Sequence, residues 1–496
     1  MLIHLGACSQ KDTVNILENS EKFNQNKPQI LESENSKPLG SIENQDKKNI
    51  DTYNQLDREK NSNRVRKVFK KELSPKLEKD FSQRFIDKDN NKQLNQNKQE
   101  QKNSFVSKND KQKLKQTPEF VKSRVKVGLL LPLTGVNSEI GRAMLNASTM
   151  AIFDLSDQDF ELLPRDTLGT PEGSIEAINN LIVEGAEMIL GPIFSASVKA
   201  ISPIAQSSNI TVIAFSNDSS ISGTNIFSLG FSPEQQIQRV VNFASDEGVV
   251  NFAAIVPNSA YGEKVLGAIL EYVPQSGGVL TRIEKYEIDQ GDFRNVIKKI
   301  TDYKKRKRLL EASKEQLIKQ GDPVALKTLE RLQNKETMGE VDFEAILIPE
   351  GGERLRSIVP LLAFYDVDPR SIKILGTGLW NEKNIGLEPA LVGGWFASPS
   401  PKIGENFRKN YKKIYGRHPP RLASLAYDAT ALAIVLSRDK EKVGVDLTLL
   451  KNNSGFTGID GLFRFKNQGL VDRGLAILEI RKNDFKIIDP SPESFD

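Results

Sequence analysis

The chain has 496 residues, 38% of them hydrophobic, and a formal net charge of +4. That length exceeds one ordinary core, and so small a charge over so long a chain, with no basic face interleaved with aromatics, excludes a nucleic-acid partner. Two histidines, His4 and His418, and one cysteine, Cys8, are too few for a structural zinc site or Ser-His-Asp chemistry, so no catalytic residue, metal or cofactor is expected.

The N-terminus reads Met1 to Cys8 as MLIHLGAC. Its last four residues, Leu5-Gly6-Ala7-Cys8, resemble a bacterial lipobox, although only a short apolar run without basic residues precedes the cysteine. The resemblance implies a truncated signal over 1–8, lipidation of Cys8 and a membrane anchor; the alternative is an incidental free cysteine. Residues 9–122 are dominated by Asn, Lys, Gln, Glu, Asp and Ser, as in "DKDNNKQLNQNKQEQKNS". Single apolar residues there never gather into a face, so the stretch is expected to be a disordered polar tail. As a flexible coil it would reach on the order of 55 Å, enough to hold a head away from a membrane. Residues 64–86 carry a weak helical period.

From 123 onward the composition is globular. "VKVGLLLPLTG" reads as a buried parallel strand ended by Pro132 and Gly135. "SEIGRAMLNASTMAIFDL" has helical spacing, "FELLPRD" is a strand, and "TPEGSIEAINNLIVEG" is a helix with Pro171 near its start and Gly185 at its end. "AEMILGPI", "SASVKAISPIAQSSN", "ITVIAFS" and "NIFSLGFS" continue as strand, helix, strand, strand. A second set follows: helix "EQQIQRVVNFASDEG", strand "NFAAIVP", helix "AYGEKVLGAILEYVPQSG" and strand "VLTRIEKYEI". Then come one long basic helix over "FRNVIKKITDYKKRKRLLEASKEQLIKQG", strand "FEAILIPEG", helix "LRSIVPLLAFYDVD", and strands "IKILGTGLW" and "GGWFASP". Repeated strand–helix–strand order predicts an α/β fold of two doubly wound, Rossmann-like lobes. Ligands of such sheets sit beyond the carboxyl ends of the strands, which points to the loops after Leu131, Asp166, Gly191, Ala214, Val256, Pro349 and Gly376.

Three pieces, "VGLLLPLTGVNSEIGRAMLNASTMAI", "MILGPIFSASVKAISPIAQSSNITVIAFS" and "AAIVPNSAYGEKV", resemble in order and spacing the leucine/isoleucine/valine-binding family of type I periplasmic binding proteins. The resemblance covers nearly all of Val125 to Asp489. It implies a ligand-binding domain over 123–496, with one lobe of about 123–232 and 399–457 and another of about 233–398 and 458–490, closing on a small ligand in the cleft. Ser195 and Ser197 in "GPIFSAS" begin a helix whose free N–H groups attract an anion, and Ser195 also suits a plain helix cap. By resemblance, Ser195 and the loop Asn217, Asp218 and Ser219 hold a ligand carboxylate, and Tyr261 touches the ligand from the other lobe. Of Trp380 and Trp395, Trp380 is expected to face the cleft.

Members that bind α-amino acids pair the ammonium with a carboxylate in the second lobe, where this chain has Gly378, and Gly351 and Gly352 lie on a neighbouring loop. Unless Glu350 or Glu382 reaches inward, a buried ammonium would lack a partner at a cost of about several kcal/mol. The insert Tyr303 to Val341, with "FEAILIPEGGERLRSIVPLLAFYDVD", "ILGTGLWN", "GGWFASP" and "PPRLASLAYDATALA", is similar to the penicillin-binding protein activators, envelope lipoproteins that contact a peptidoglycan synthase. Two expectations follow: an envelope regulator with a synthase partner, or a receptor delivering amino acids or other small anions to an ABC permease. Either implies a periplasmic location with a lipid anchor, in the outer rather than the inner membrane. The insert is read as an exposed helix covering a lobe edge, or as a docking surface for an acidic partner or the cell wall. His418 reads as a turn residue, and Tyr427-Asp428 as hinge or core packing.

Overall fold

A computed structural model describes residues 124–155, 160–223, 225–382, 384–438, 445 and 447–495. Cys8 and the expected tail over 9–122 lie outside the described residues.

The first sheet is parallel, with β1 (Val125–Leu131), β2 (Phe160–Asp166), β3 (Met188–Leu190), β4 (Thr211–Ala214) and β5 (Ile226–Ser228) in the order β2-β1-β3-β4-β5. β1 is apolar apart from half-buried Lys126, because both of its faces are covered. Leu129 and Leu131 join the core beneath α1 (Ser138–Leu155), while Leu130 faces α2 (Pro171–Val183) and α3 (Ser195–Ser207). Thr170 caps α2 by accepting from Gly173 N at 3.1 Å, with Pro171 opening the helix.

The second sheet repeats that order. After α4 (Pro233–Asp246) come β6 (Asn251–Pro257), α5 (Ala260–Gln275), β7 (Val279–Tyr286), α6 (Arg294–Ile300), α7 (Tyr303–Gln320) and α8 (Pro323–Leu332). β8 (Ala345–Leu347), α9 (Gly352–Phe364), β9 (Lys373–Gly376) and β10 (Trp395–Ser398) follow, in the spatial order β7-β6-β8-β9-β10. Two further strands, β14 (Ala476–Ile480) and β15 (Phe485–Asp489), extend this sheet antiparallel beyond β10.

The chain returns to the first lobe through α10 (Glu405–Tyr415) and α11 (Ala423–Leu436). There β11 (Phe456–Gly458), β12 (Gly461–Phe465) and β13 (Val471–Arg473) form a small antiparallel sheet. This corrects the expected boundary at 457/458. Phe463, Phe465 and Val471 pack with Leu129 and Met144 in the first lobe's core, so the crossing into the second lobe falls at 474–475. Three segments therefore join the lobes: 229–232, 399–404 and 474–475. The short alternating strands of β11 to β13 had no signal long enough to separate them from loops.

The long basic helix is also two helices. Asp302 turns left-handed, with φ at +48°, between α6 and α7, and its carboxylate pairs with Arg282 at 3.3 Å. α7 and α8 form a hairpin on the second lobe. Buried Arg306 secures it by donating to the carbonyls of Gly339, Tyr365 and Asp366 at 2.9, 3.0 and 3.1 Å.

Candidate functional site

Each sheet has a switch point where strand order reverses, between β1 and β3 and between β6 and β8. Loops beyond the carboxyl ends of such strands form the ligand crevice of open α/β sheets. Here they place Ser195 on the first lobe, and Tyr261 and Glu350 on the second.

Ser195 is the first residue of α3 and is half-buried; no side chain caps this turn. The first backbone bond of the helix runs from Val198 N to Phe194 O, leaving the N–H groups of Ser195, Ala196 and Ser197 ahead of the ladder. Ser197 points inward: it is 1% exposed, and its Oγ finds no hydrogen-bond partner among the described residues.

The loop after β4 brings Asp218 beside this helix. Its carboxylate accepts from Ser220 N at 3.1 Å and Ser220 Oγ at 2.7 Å, while Asn217 and Ser219 are exposed. Lys264 of α5, from the opposite lobe, donates to Asp218 Oδ1 at 2.6 Å, and Lys199 of α3 lies 3.6 Å from Oδ2. Burial works against ionisation of Asp218, but the bonds from Lys264 and Ser220 outweigh it and hold the carboxyl well below the usual range. One carboxylate is thus clamped by lysines of both lobes.

Tyr261 stands one helical turn before Lys264, and its hydroxyl shares a 3.3 Å hydrogen bond with that of buried Thr377. Burial pushes its pKa up to about 12, so it remains a neutral donor at physiological pH. Beside it, Gly378 N donates to Gln236 Oε1 at 2.6 Å. Neither acidic residue of the neighbouring loops is free. Glu350 accepts from Tyr286 Oη, Arg354 Nε at 3.1 Å and Gly351 N at 3.0 Å, and Glu382 pairs with Arg356 at 2.8 Å.

Trp380 is corrected from a cleft residue to a core residue. It is fully buried among Phe396 and Ile374, with Nε1 donating to Glu350 O at 2.9 Å. Its ring lies over the Cα of Gly376, where any side chain would hold it off. Trp395 is half-buried under Lys373, whose Nζ sits 4.2 Å from the ring centre. The structure ties Asp218 to Lys199, on the helix that Ser195 opens, and to Lys264, on the helix that carries Tyr261; these lysines, with Thr377 and Gln236, were passed over in the sequence. Lys264 alone had a local signal, standing three residues after Tyr261 on one helix face.

Residues 124–484 match the family model described as periplasmic binding protein. A curated relative, uncharacterized protein RP748 of Rickettsia prowazekii (strain Madrid E), is 21% identical over 179 residues, which are 36% of this chain and 47% of that protein. The chain thus spans about half the length of that relative. Among solved structures, a putative branched-chain amino acid ABC transporter protein from Rhodospirillum rubrum superposes with a TM-score of 0.58 at 17% identity, covering 74% of this chain and all 100% of that one. A solute binding protein from Rhodopseudomonas palustris BisB5, in complex with 3,4-dihydroxy benzoic acid, gives 0.53 at 19% identity, covering 75% and 97%. The branched-chain amino acid transporter substrate binding protein LivJ from Streptococcus pneumoniae, in complex with isoleucine, gives 0.52 at 16% identity, covering 74% and 100%. At those identities the likeness is one of fold, the two-lobed α/β fold of type I. With the family model spanning most of the chain, this protein belongs to the periplasmic binding protein family, whose members bind solutes and are not enzymes.

Proposed function

We propose that the cleft takes a small carboxylate that carries no α-ammonium group. Ser195 and the first-turn N–H groups of α3 would hold it on one lobe, with Ser197 behind them and Asn217, Asp218 and Ser219 along the edge. Tyr261 and Lys264 would meet it from the other lobe. The observation that carries this reading is the state of the acidic groups: Asp218, Glu350 and Glu382 are each engaged by a cation of the protein, and Gly378 offers none. An ammonium brought here would lose its hydration without gaining a partner, at a cost of about several kcal/mol. A carboxylate would meet an uncapped helix start, with its leading N–H groups ahead of the ladder. Isoleucine in the Streptococcus pneumoniae protein and 3,4-dihydroxy benzoic acid in the Rhodopseudomonas palustris protein exemplify the two ligand types.

The test is thermal unfolding of the full chain with 3,4-dihydroxybenzoate, benzoate, leucine or isoleucine. A carboxylate at one hundred times its Kd should stabilise by about 2.7 kcal/mol, and Ser195→Ala should remove most of that gain, while leucine and isoleucine leave the transition in place. Stabilisation by isoleucine that Ser195→Ala abolishes would overturn the reading and favour amino-acid delivery to an ABC permease.

A second reading makes the head a regulator of peptidoglycan synthesis, lipid-anchored at Cys8 and tethered by 9–122 in the periplasm, on the outer membrane. The α7–α8 hairpin favours it, because Leu309, Ile318, Val324 and Leu326 are exposed alongside a run of lysines and arginines. Used as bait, the same full chain should then recover a peptidoglycan synthase; recovery of permease subunits instead would count for transport.

A further inference from the structure

Where the three connecting segments come together, the fold buries a cluster of acids and arginines away from the cleft. Arg473, at the end of β13, donates to Leu229 O in the first segment at 2.6 Å and lies 4.9 Å from the ring centre of Phe231. Arg421 covers the same ring at 3.9 Å and pairs with Asp460 at 2.8 Å. Arg408 of α10 donates to Pro401 O in the second segment. Arg473 itself immediately precedes the third. Each segment is therefore held by, or adjoins, an arginine of one cluster.

At the centre is Asp428 of α11, fully buried, with Oδ1 accepting from Ile459 N at 2.7 Å. Gly458 makes room for it, since a Cβ there would lie 2.5 Å from the carboxylate. Four atoms of the cluster have no hydrogen-bond partner among the described residues: Oδ2 of Asp428, Oδ2 of Asp460, and Nε and Nη1 of Arg473. Buried polar atoms without a partner each call for an explanation, and here four of them lie at or around one carboxylate at the hinge.

We infer that this cluster is a proton-operated clamp on the hinge: protonated Asp428 favours the lobe arrangement described here, and its ionisation favours a looser one that admits water. The groups facing Asp428 are few. Asp460 repels its charge from the β11–β12 turn, and Arg473 on β13 attracts it. Arg421 and Arg408 stand behind Asp460. From α1, Asp154 reaches only Tyr427, which donates to it at 2.8 Å, while Ser148 bonds the Ala426 carbonyl. Burial, then the neighbouring Asp460, push the Asp428 carboxyl up to about 7. An acid with a raised pKa in the packed state stabilises that state at low pH and loses the contribution as pH rises toward the raised value. The clamp therefore loosens as pH climbs from the ordinary carboxyl value of about 4 toward about 7, and loses nothing further above it.

The test places spin labels on two exposed positions, Val183 of the first lobe and Val279 of the second, in the full chain with Cys8→Ser, and measures their separation between pH 5.5 and 8. A longer population should grow as pH rises and level off above about 7, and Asp428→Asn should keep the short distance throughout. Asp154→Asn should leave the wild-type response intact. Asp460→Asn, which removes the repelling charge and so narrows the gap between the packed and loose pKa values of Asp428, should diminish the growth of the longer population at high pH and serves if Asp428→Asn does not fold. A pH-independent distance in the wild type, an unchanged response in Asp428→Asn, or an undiminished growth of the longer population in Asp460→Asn overturns the inference.

Discussion

At Gly376 the backbone leaves no space for a side chain, because a Cβ would lie 2.1 Å from Cε2 of Trp380. The ring cannot step aside without giving up its bond to Glu350 O and its contact with Phe396. Gly376→Ala should therefore destabilise the protein by about 2–3 kcal/mol through overpacking, read as a lower denaturation midpoint with an unchanged slope. A change under about 0.5 kcal/mol would show that the indole is free to move. The same residue explains why the tryptophan was misplaced by sequence. A tryptophan just after a strand end looks equally suited to a cleft or a core, and only the glycine two strand positions from the turn, read in three dimensions, decides for the core. That Ser195 and Tyr261 stand at helix starts on the sheets' carboxyl edges was legible from the strand–loop–helix pattern, whereas their ligand roles were expected by resemblance alone.

The element that separates this chain from a plain pair of Rossmann-like lobes is the α7–α8 hairpin. Its buried side chains are few, chiefly Arg306, Leu310 and Ala325. Burial pushes the Arg306 pKa down, but three backbone carbonyls accept its protons and keep the guanidinium in place. Arg306→Ala should leave those carbonyls unmatched and cost about 3 kcal/mol locally. Limited proteolysis would then cut within 303–341 first, while both sheets stay protected; an intact hairpin in the variant would contradict the role given to Arg306. The basic run and its helical period were plain in the sequence. The break at Asp302 was not, because it rests on Arg282 and Asp342 meeting across the lobe.

Among the described residues, the two lobes meet through covalent segments at the back, a hydrogen bond from Ser219 Oγ to Glu234 at 3.2 Å, and the Asp218–Lys264 pair at the front. That pair is partly exposed, so it contributes about 1 kcal/mol or less to stability, yet it bears directly on how far the lobes separate. Its pH window is opposite to that of Asp428. Asp218 is depressed in the folded state, so its contribution is present above about 4 and is lost only as pH falls through the lower folded value. Lys264→Met should therefore lengthen the distance between Val183 and Val279 at every pH from about 5 to 8, with little change in melting temperature. An unaltered distance would show that the front pair does not hold the lobes.

By itself the sequence determined the class of the fold and the end of each sheet where a site could lie, because apolar period, turn residues and strand–helix alternation are local properties. The scarcity of histidine and cysteine likewise pointed away from histidine- or thiol-based catalysis. Only the tertiary structure decided which lobe owns β11 to β13, which acids of the cleft are already matched, and that distant Asp428, Asp460 and Arg473 share one buried site. Those are questions of which side chains meet across dozens or hundreds of residues, and a linear pattern carries no information about partners chosen by packing.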